Sequence, residues 1–173
     1  REFQINNIRK DLNCKLIRGN VDTRIKKMNE GLYDALILSY IGTKFLGMTD
    51  QVSEIFSVRD VIPSVGQGII SLQCREDDTE IFSLLKKINH DETYLRANSE
   101  RNVLKVLEGD CETAIGAHAS VEGNKIILEA ELFSLDGTQR FYEKQSSEID
   151  NAIELGKEVG QILKKKSNNS YKR

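Results

Sequence analysis

Apolar residues at Phe3, Ile5, Ile8 and Leu12 recur at helical spacing and predict a helix over 1–12. A short apolar run at 14–17 then reads as a buried strand, and 24–29 as a short helix ending at Gly31, with Asp22 or Thr23 as its cap. The run 34–40 (D-A-L-I-L-S-Y) is a second strand, so 14–40 reads as a βαβ unit of a parallel sheet. Helical turns follow over 43–56, interrupted at Gly47, and a glycine-rich loop, P-S-V-G-Q-G at 63–68, precedes a strand over 69–74. The helix over 79–88 carries Ile81, Leu84, Leu85 and Ile88 on one face.

The pattern changes after Asn89-His90-Asp91, where a domain boundary is expected and where His90 reads as a capping residue. A helix over 92–107 buries Leu95, Val103, Leu104 and Leu107, and Gly109 ends it. Alternating strands at 114–121, 125–133 and 139–144 form a three-stranded antiparallel meander, the last pair joined through Asp136-Gly137. Ser147 with Asp150 marks the start of a final helix, with a stripe of Ile149, Ala152, Ile153, Val159, Ile162 and Leu163. The tail 166–173 has no apolar face and is expected to be disordered. The fold class is therefore α/β, in partial βαβ units, followed by a C-terminal α+β domain.

Bulk numbers narrow the function. A net charge of −2 over 173 residues gives no global field for nucleic acid, and no apolar run is long enough to span a bilayer. The three cysteines, Cys14, Cys74 and Cys111, are odd in number and outside any C-x-x-C pattern, which points to a reducing compartment. Neither His90 nor His118 has a cysteine at ligand spacing, so no metal site is expected.

Two stretches carry candidate chemistry. In R-G-N-V-D-T-R, Arg18 and Arg24 flank a predicted helix N-terminus, whose free N–H groups and guanidinium forks suit a carboxylate or phosphate. A solvated basic face continued by Lys26 and Lys27 is the equal alternative. In V-L-E-G-D-C-E-T, Cys111 sits between acidic neighbours on a loop between a helix and a strand. Alone, that thiol reads as buried or inert.

These motifs, with G-L-Y-D-A-L-I-L at 31–38, N-H-D-E-T at 89–93 and S-E-R at 99–101, occur in one order that resembles the porphobilinogen deaminase (hydroxymethylbilane synthase) family over residues 1–163. The resemblance implies periplasmic-binding-protein-like units, with 1–62 the later part of domain 2 and 63–88 a strand and helix returning to domain 1. It makes 89–165 domain 3. It implies a dipyrromethane cofactor held by a thioether to Cys111, a primer on which porphobilinogen units are joined with loss of ammonia to give hydroxymethylbilane. A soft thiolate suits capture of the electrophile left when ammonia departs. Cofactor contacts are implied for Arg1, Arg18 and Arg24, and substrate contacts for Arg18, Arg24, Gln67 and Gly68.

The family's catalytic aspartate lies in an N-terminal portion that this chain does not contain. No catalytic residue is therefore assigned here, and the 173 residues alone are expected to be inactive. The implied partners are porphobilinogen, the growing pyrrole chain and that missing portion, possibly a separate chain, in a protein monomeric when complete. Neither nucleic acid nor membrane is expected as a partner, and the location is cytoplasm or an organelle matrix. The alternative is a catalytically inert fragment that binds anions or a partner. Departures from the family pattern are Phe45 in place of an arginine, Ser39 and Tyr40 in place of smaller residues, and Ala114 in place of a proline.

Overall fold

In the computed structural model, which describes residues 1–110 and 112–172, the chain divides into Glu2–Ser57 and a second unit of Arg1 with Val58–Arg173. Glu2–Ser57 contains helices α1 (Glu2–Ile8), α2 (Val21–Asn29) and α3 (Tyr40–Phe45), and a 3-10 turn at Thr49–Gln51. Helix α2 starts earlier than expected: Asn20 occupies the N-cap position, and its side chain makes no capping bond. Asp22 and Thr23 lie inside the first turn. Gly19, at φ 123°, supplies the sharp turn before it.

The other unit contains α4 (Thr79–Lys87), α5 (Asp91–Val106), strands β1 (Ile115–Glu122), β2 (Lys125–Phe133) and β3 (Arg140–Glu148), a 3-10 turn at Ile149–Asn151, and α6 (Ala152–Ser167). The strands form an antiparallel sheet in the order β1-β2-β3. The expected class stands, a partial α/β chain with a C-terminal α+β unit. Three expected strands do not form, however. The runs 14–17, 34–40 and 69–74 belong to no ladder among the described residues. A strand is stabilised by hydrogen bonds to a neighbouring strand, and these runs have none; Leu16, Ile70 and Leu72 are left exposed.

The register explains the core. Cross-strand pairs Ala117↔Ala130, Ala119↔Leu128 and Leu132↔Phe141 lie on one face, and α5 and α6 pack across it. The alanines leave room for helix backbones to come close, and Val103, Leu107, Leu155, Val159 and Leu163 fill the layer between. The two helices meet through small residues. A Cβ on Gly156 would lie 2.2 Å from the Ser99 carbonyl oxygen, and one on Gly160 would lie 2.8 Å from Val106 Cβ.

The α6 stripe is therefore Ala152, Leu155, Gly156, Val159, Gly160 and Leu163. Ile153, expected inside, is 44% exposed. The start of α6 also differs, because β3 continues through Glu148 and takes Ser147 into the sheet. The tail differs most. Instead of lacking structure, α6 runs to Ser167 and Tyr171 joins the core at 5% exposure. The sequence there is polar on average, but one buried aromatic is enough to fix a short turn.

On α4 the expected apolar face forms, but Ile81, Leu84 and Ile88 remain exposed. Asp78 caps this helix, its carboxylate accepting from the Ile81 N–H at 3.0 Å. His90 caps α5 as expected, its Nδ1 accepting from the Thr93 N–H at 3.3 Å. Among the described residues no helix is long and apolar enough to cross a membrane, and no cluster of His, Cys, Asp or Glu is arranged to hold a metal.

Candidate functional site

Helix α5 leads into the loop that bears Cys111, and the end of that helix is closely defined. Glu108 takes a left-handed φ of 53°, with its N–H donating to the Lys105 carbonyl at 3.1 Å. The Gly109 N–H donates to the Leu104 carbonyl at 3.0 Å. Together these bonds make a Schellman cap. Gly109 was expected to end the helix, yet the left-handed residue is Glu108. Glycine is needed at 109 for space: a Cβ there would lie 2.7 Å from Leu104 Cδ1 and 2.9 Å from Thr113 Oγ1.

Asp110 closes the far side of the loop. Its Oδ1 accepts from the Glu112 N–H at 2.8 Å and the Thr113 N–H at 3.2 Å, while its own N–H donates to Thr113 Oγ1 at 2.9 Å. The Glu112 N–H bond holds the Asp110 carboxyl below the usual carboxylate range. Thr113 then leads into β1. Cys111 itself, with the cofactor assigned to it, lies outside the described residues. Its flanks nonetheless fit a covalently attached group: both sides of the loop are pinned, and Asp110 and Glu112 are exposed.

The P-S-V-G-Q-G loop is fastened within the same unit by a residue to which the sequence reading gave no role. Glu100 is buried, and its Oε2 accepts from the Gly66 N–H at 2.8 Å while its Oε1 accepts from the Ala119 N–H at 2.9 Å. Burial pushes the Glu100 carboxyl up, against the opposing pull of those N–H groups and of Arg96. The Pro63 carbonyl accepts from the Ala117 N–H at 2.9 Å, and a Cβ on Gly116 would lie 2.8 Å from the Ile62 carbonyl oxygen. The loop thus lies against β1. Its tip turns through Gly66 and Gly68, both at positive φ, and leaves Gln67 and Gly68 exposed.

Arg1 and Gln67 come together, the Arg1 Nη2 donating to Gln67 Oε1 at 2.9 Å. Arg18 and Arg24 belong to the other unit and share one turn. The Arg24 Nε donates to the Gly19 carbonyl at 2.6 Å, and Lys27 Nζ donates to the Arg18 carbonyl at 3.2 Å. These bonds fix the backbone beside the uncapped start of α2, whose first N–H groups supply the donors expected for an anion. Phe45, at the end of α3, is 79% exposed.

A concavity lies on the outer face of the sheet. It is an open basin of about 280 Å³ lined by Arg59, Glu129, Arg140, Tyr142 and Lys144. Arg140 pairs with Glu131 at 2.7 Å and Lys144 with Glu129 at 2.8 Å. An incoming anion would have to compete with carboxylates already in place, so this basin is a weaker site than the loop region.

Comparison with known proteins agrees with the motif reading. Residues 1–83 match the family model described as porphobilinogen deaminase, dipyromethane cofactor binding domain. Residues 94–165 match the porphobilinogen deaminase C-terminal domain. Among curated relatives, the porphobilinogen deaminase of Desulforamulus reducens is 42% identical over 160 residues, covering 92% of this chain and 52% of the relative. That of Trichlorobacter lovleyi is 39% identical over 163 residues, 94% of this chain and 52% of the relative. That of Staphylococcus carnosus is 38% identical over 156 residues, 89% of this chain and 50% of the relative. The chain spans about half the length of the curated relatives it matches.

Proposed function

The chain belongs to the porphobilinogen deaminase family, and from that premise we propose that it serves a transferase of tetrapyrrole biosynthesis, joining porphobilinogen units with release of ammonia to give hydroxymethylbilane. The observation that carries this reading is the match of two successive domains of one family, in order, along the chain. A dipyrromethane attached through a thioether to Cys111 would supply a primer that stays bound while the product grows.

In this reading the chain's own residues hold and orient. The capped end of α5 and the Asp110–Thr113 turn present the thiol from a fixed frame, so the tethered group meets its partners at high local concentration. Arg18 and Arg24 pair with acetate and propionate carboxylates of the pyrroles, helped by the free N–H groups of α2. Arg1 and Gln67 form a polar contact for cofactor and substrate, with Glu100 keeping the Gln67 loop against β1. The proton-handling aspartate of the family belongs to a part of the relatives that this chain does not span, so turnover requires that part as well.

The division into 1–62, 63–88 and 89–165 is retained within this proposal, as are a monomeric complete protein and a location in cytoplasm or an organelle matrix. A second reading, an inert anion- or partner-binding fragment, draws on the half-length match alone. The two readings separate on addition of porphobilinogen to the full protein. Ammonia release with formation of a linear tetrapyrrole is expected; binding of porphobilinogen without ammonia release would favour the second.

A further inference from the structure

The end of an α-helix leaves its last four carbonyls without partners inside the helix. In α5 these belong to Leu104, Lys105, Val106 and Leu107. The Schellman cap satisfies Leu104 and Lys105 through the N–H groups of Gly109 and Glu108. The other two are satisfied from the far end of the chain. Lys164 Nζ donates to the Val106 carbonyl at 3.3 Å, and the Tyr171 hydroxyl donates to the Leu107 carbonyl at 3.0 Å.

The same segment also holds the side chain of the left-handed residue. Glu108 is paired with Lys164 at 3.4 Å and is in hydrogen-bond contact with Lys172. A left-handed conformation favours glycine, and a glutamate there is strained. The carboxylate gives this position contacts that glycine would lack. The tail is itself fixed: Asn168 and Asn169 take positive φ and turn the chain back, and the Ser170 carbonyl accepts from the Leu135 N–H at 2.9 Å. The tail thus lies between the end of β2 and the end of α5.

We propose that Lys164, Tyr171 and Lys172 are positioning residues for the Cys111 loop: they fix the backbone at Leu107 and Glu108, the point from which the loop departs. This rests on the reading of Cys111 as the cofactor anchor. The tail touches neither substrate nor cofactor in this account, and acts only through the exit of α5.

The test uses apoenzyme of the complete protein, porphobilinogen as the probe, and two measurements. The first is amide exchange at Glu108 and Gly109, which does not depend on the cofactor. The second is the rate at which intact mass shows an adduct at Cys111. Tyr171→Phe keeps the buried ring and loses the bond to Leu107. Glu108→Gly relieves the left-handed strain and loses both lysines, so it should not lower the melting temperature. Tyr171→Phe should raise exchange at Gly109 roughly fivefold to tenfold, as expected for loss of one hydrogen bond, and both variants should slow adduct formation. Lys172→Arg, which keeps a donor to Glu108, should behave as wild type.

Unchanged exchange and unchanged adduct rate in both variants would overturn the proposal. Faster exchange with an unchanged adduct rate would also overturn it, reducing the tail to a structural brace. If wild type forms no adduct at all, the anchor reading fails, and the exchange data still report whether the tail fixes the exit of α5.

Discussion

Glu100 shows how one side chain ties the Gln67 loop to β1. Its carboxylate accepts one backbone N–H from the Gln67 loop and one from β1, and both donors would be orphaned by Glu100→Ala. The expected loss is about 2–4 kcal/mol in the urea unfolding of the full protein, from two buried N–H groups left without partners. Glu100→Gln, which keeps one acceptor, should lose less. Equal losses would mean that the second bond contributes nothing. Arg18 and Arg24 should act on turnover. Arg24→Leu or Arg18→Leu is expected to slow cofactor assembly or elongation roughly tenfold to a hundredfold, the range for losing a charged hydrogen bond. Unchanged turnover would remove that residue from the site. Asp136 gives the pH dependence of the β2–β3 turn. The Ser134 hydroxyl and the Thr138 N–H and hydroxyl depress its carboxyl from 3.8 to about 2. A depressed acid contributes stability at pH above its ordinary value, and that stability is lost as pH falls through the folded value. Unfolding measured from pH 5 down to about 2 should therefore show an acid-side decline that Asp136→Asn reduces.

Helices and turns were more legible in the sequence than strands, for a physical reason. A helix satisfies its own backbone, so α4, α5 and the Asp136-Gly137 turn could be read from local spacing. A strand needs a partner, and the runs 14–17, 34–40 and 69–74 have none among the described residues although their composition favours strand. The α6 stripe was misread because Gly156 and Gly160 carry no hydrophobic signal, yet they set the distance between α5 and α6. Gly156→Ala tests this. Alanine should favour the helix by about 1 kcal/mol, but its Cβ would collide with the Ser99 carbonyl. A net loss of about 2 kcal/mol or more is expected on denaturation, because overpacking outweighs propensity. A stabilised variant would show that the helices separate freely. Of the site, the motif residues were visible, whereas the role of Glu100 within its motif and that of the tail were not, since their partners lie far away in sequence.

At the scale of the molecule, the candidate functions divide between two units of the chain. Arg18 and Arg24, the arginines proposed to bind carboxylates, belong to Glu2–Ser57, and the Cys111 loop and the Arg1–Gln67 contact belong to the other. The relatives carry about as much chain again, and the proposed function places the family's aspartate there. The 173 residues by themselves should therefore show no ammonia release from porphobilinogen, whereas the complete protein should. The anchoring role of Cys111 is tested most directly by intact mass of the complete, active protein. The account predicts a covalent addition of dipyrromethane size that maps to Cys111 and is absent from Cys111→Ala, together with activity. An unmodified Cys111 in fully active protein would contradict it.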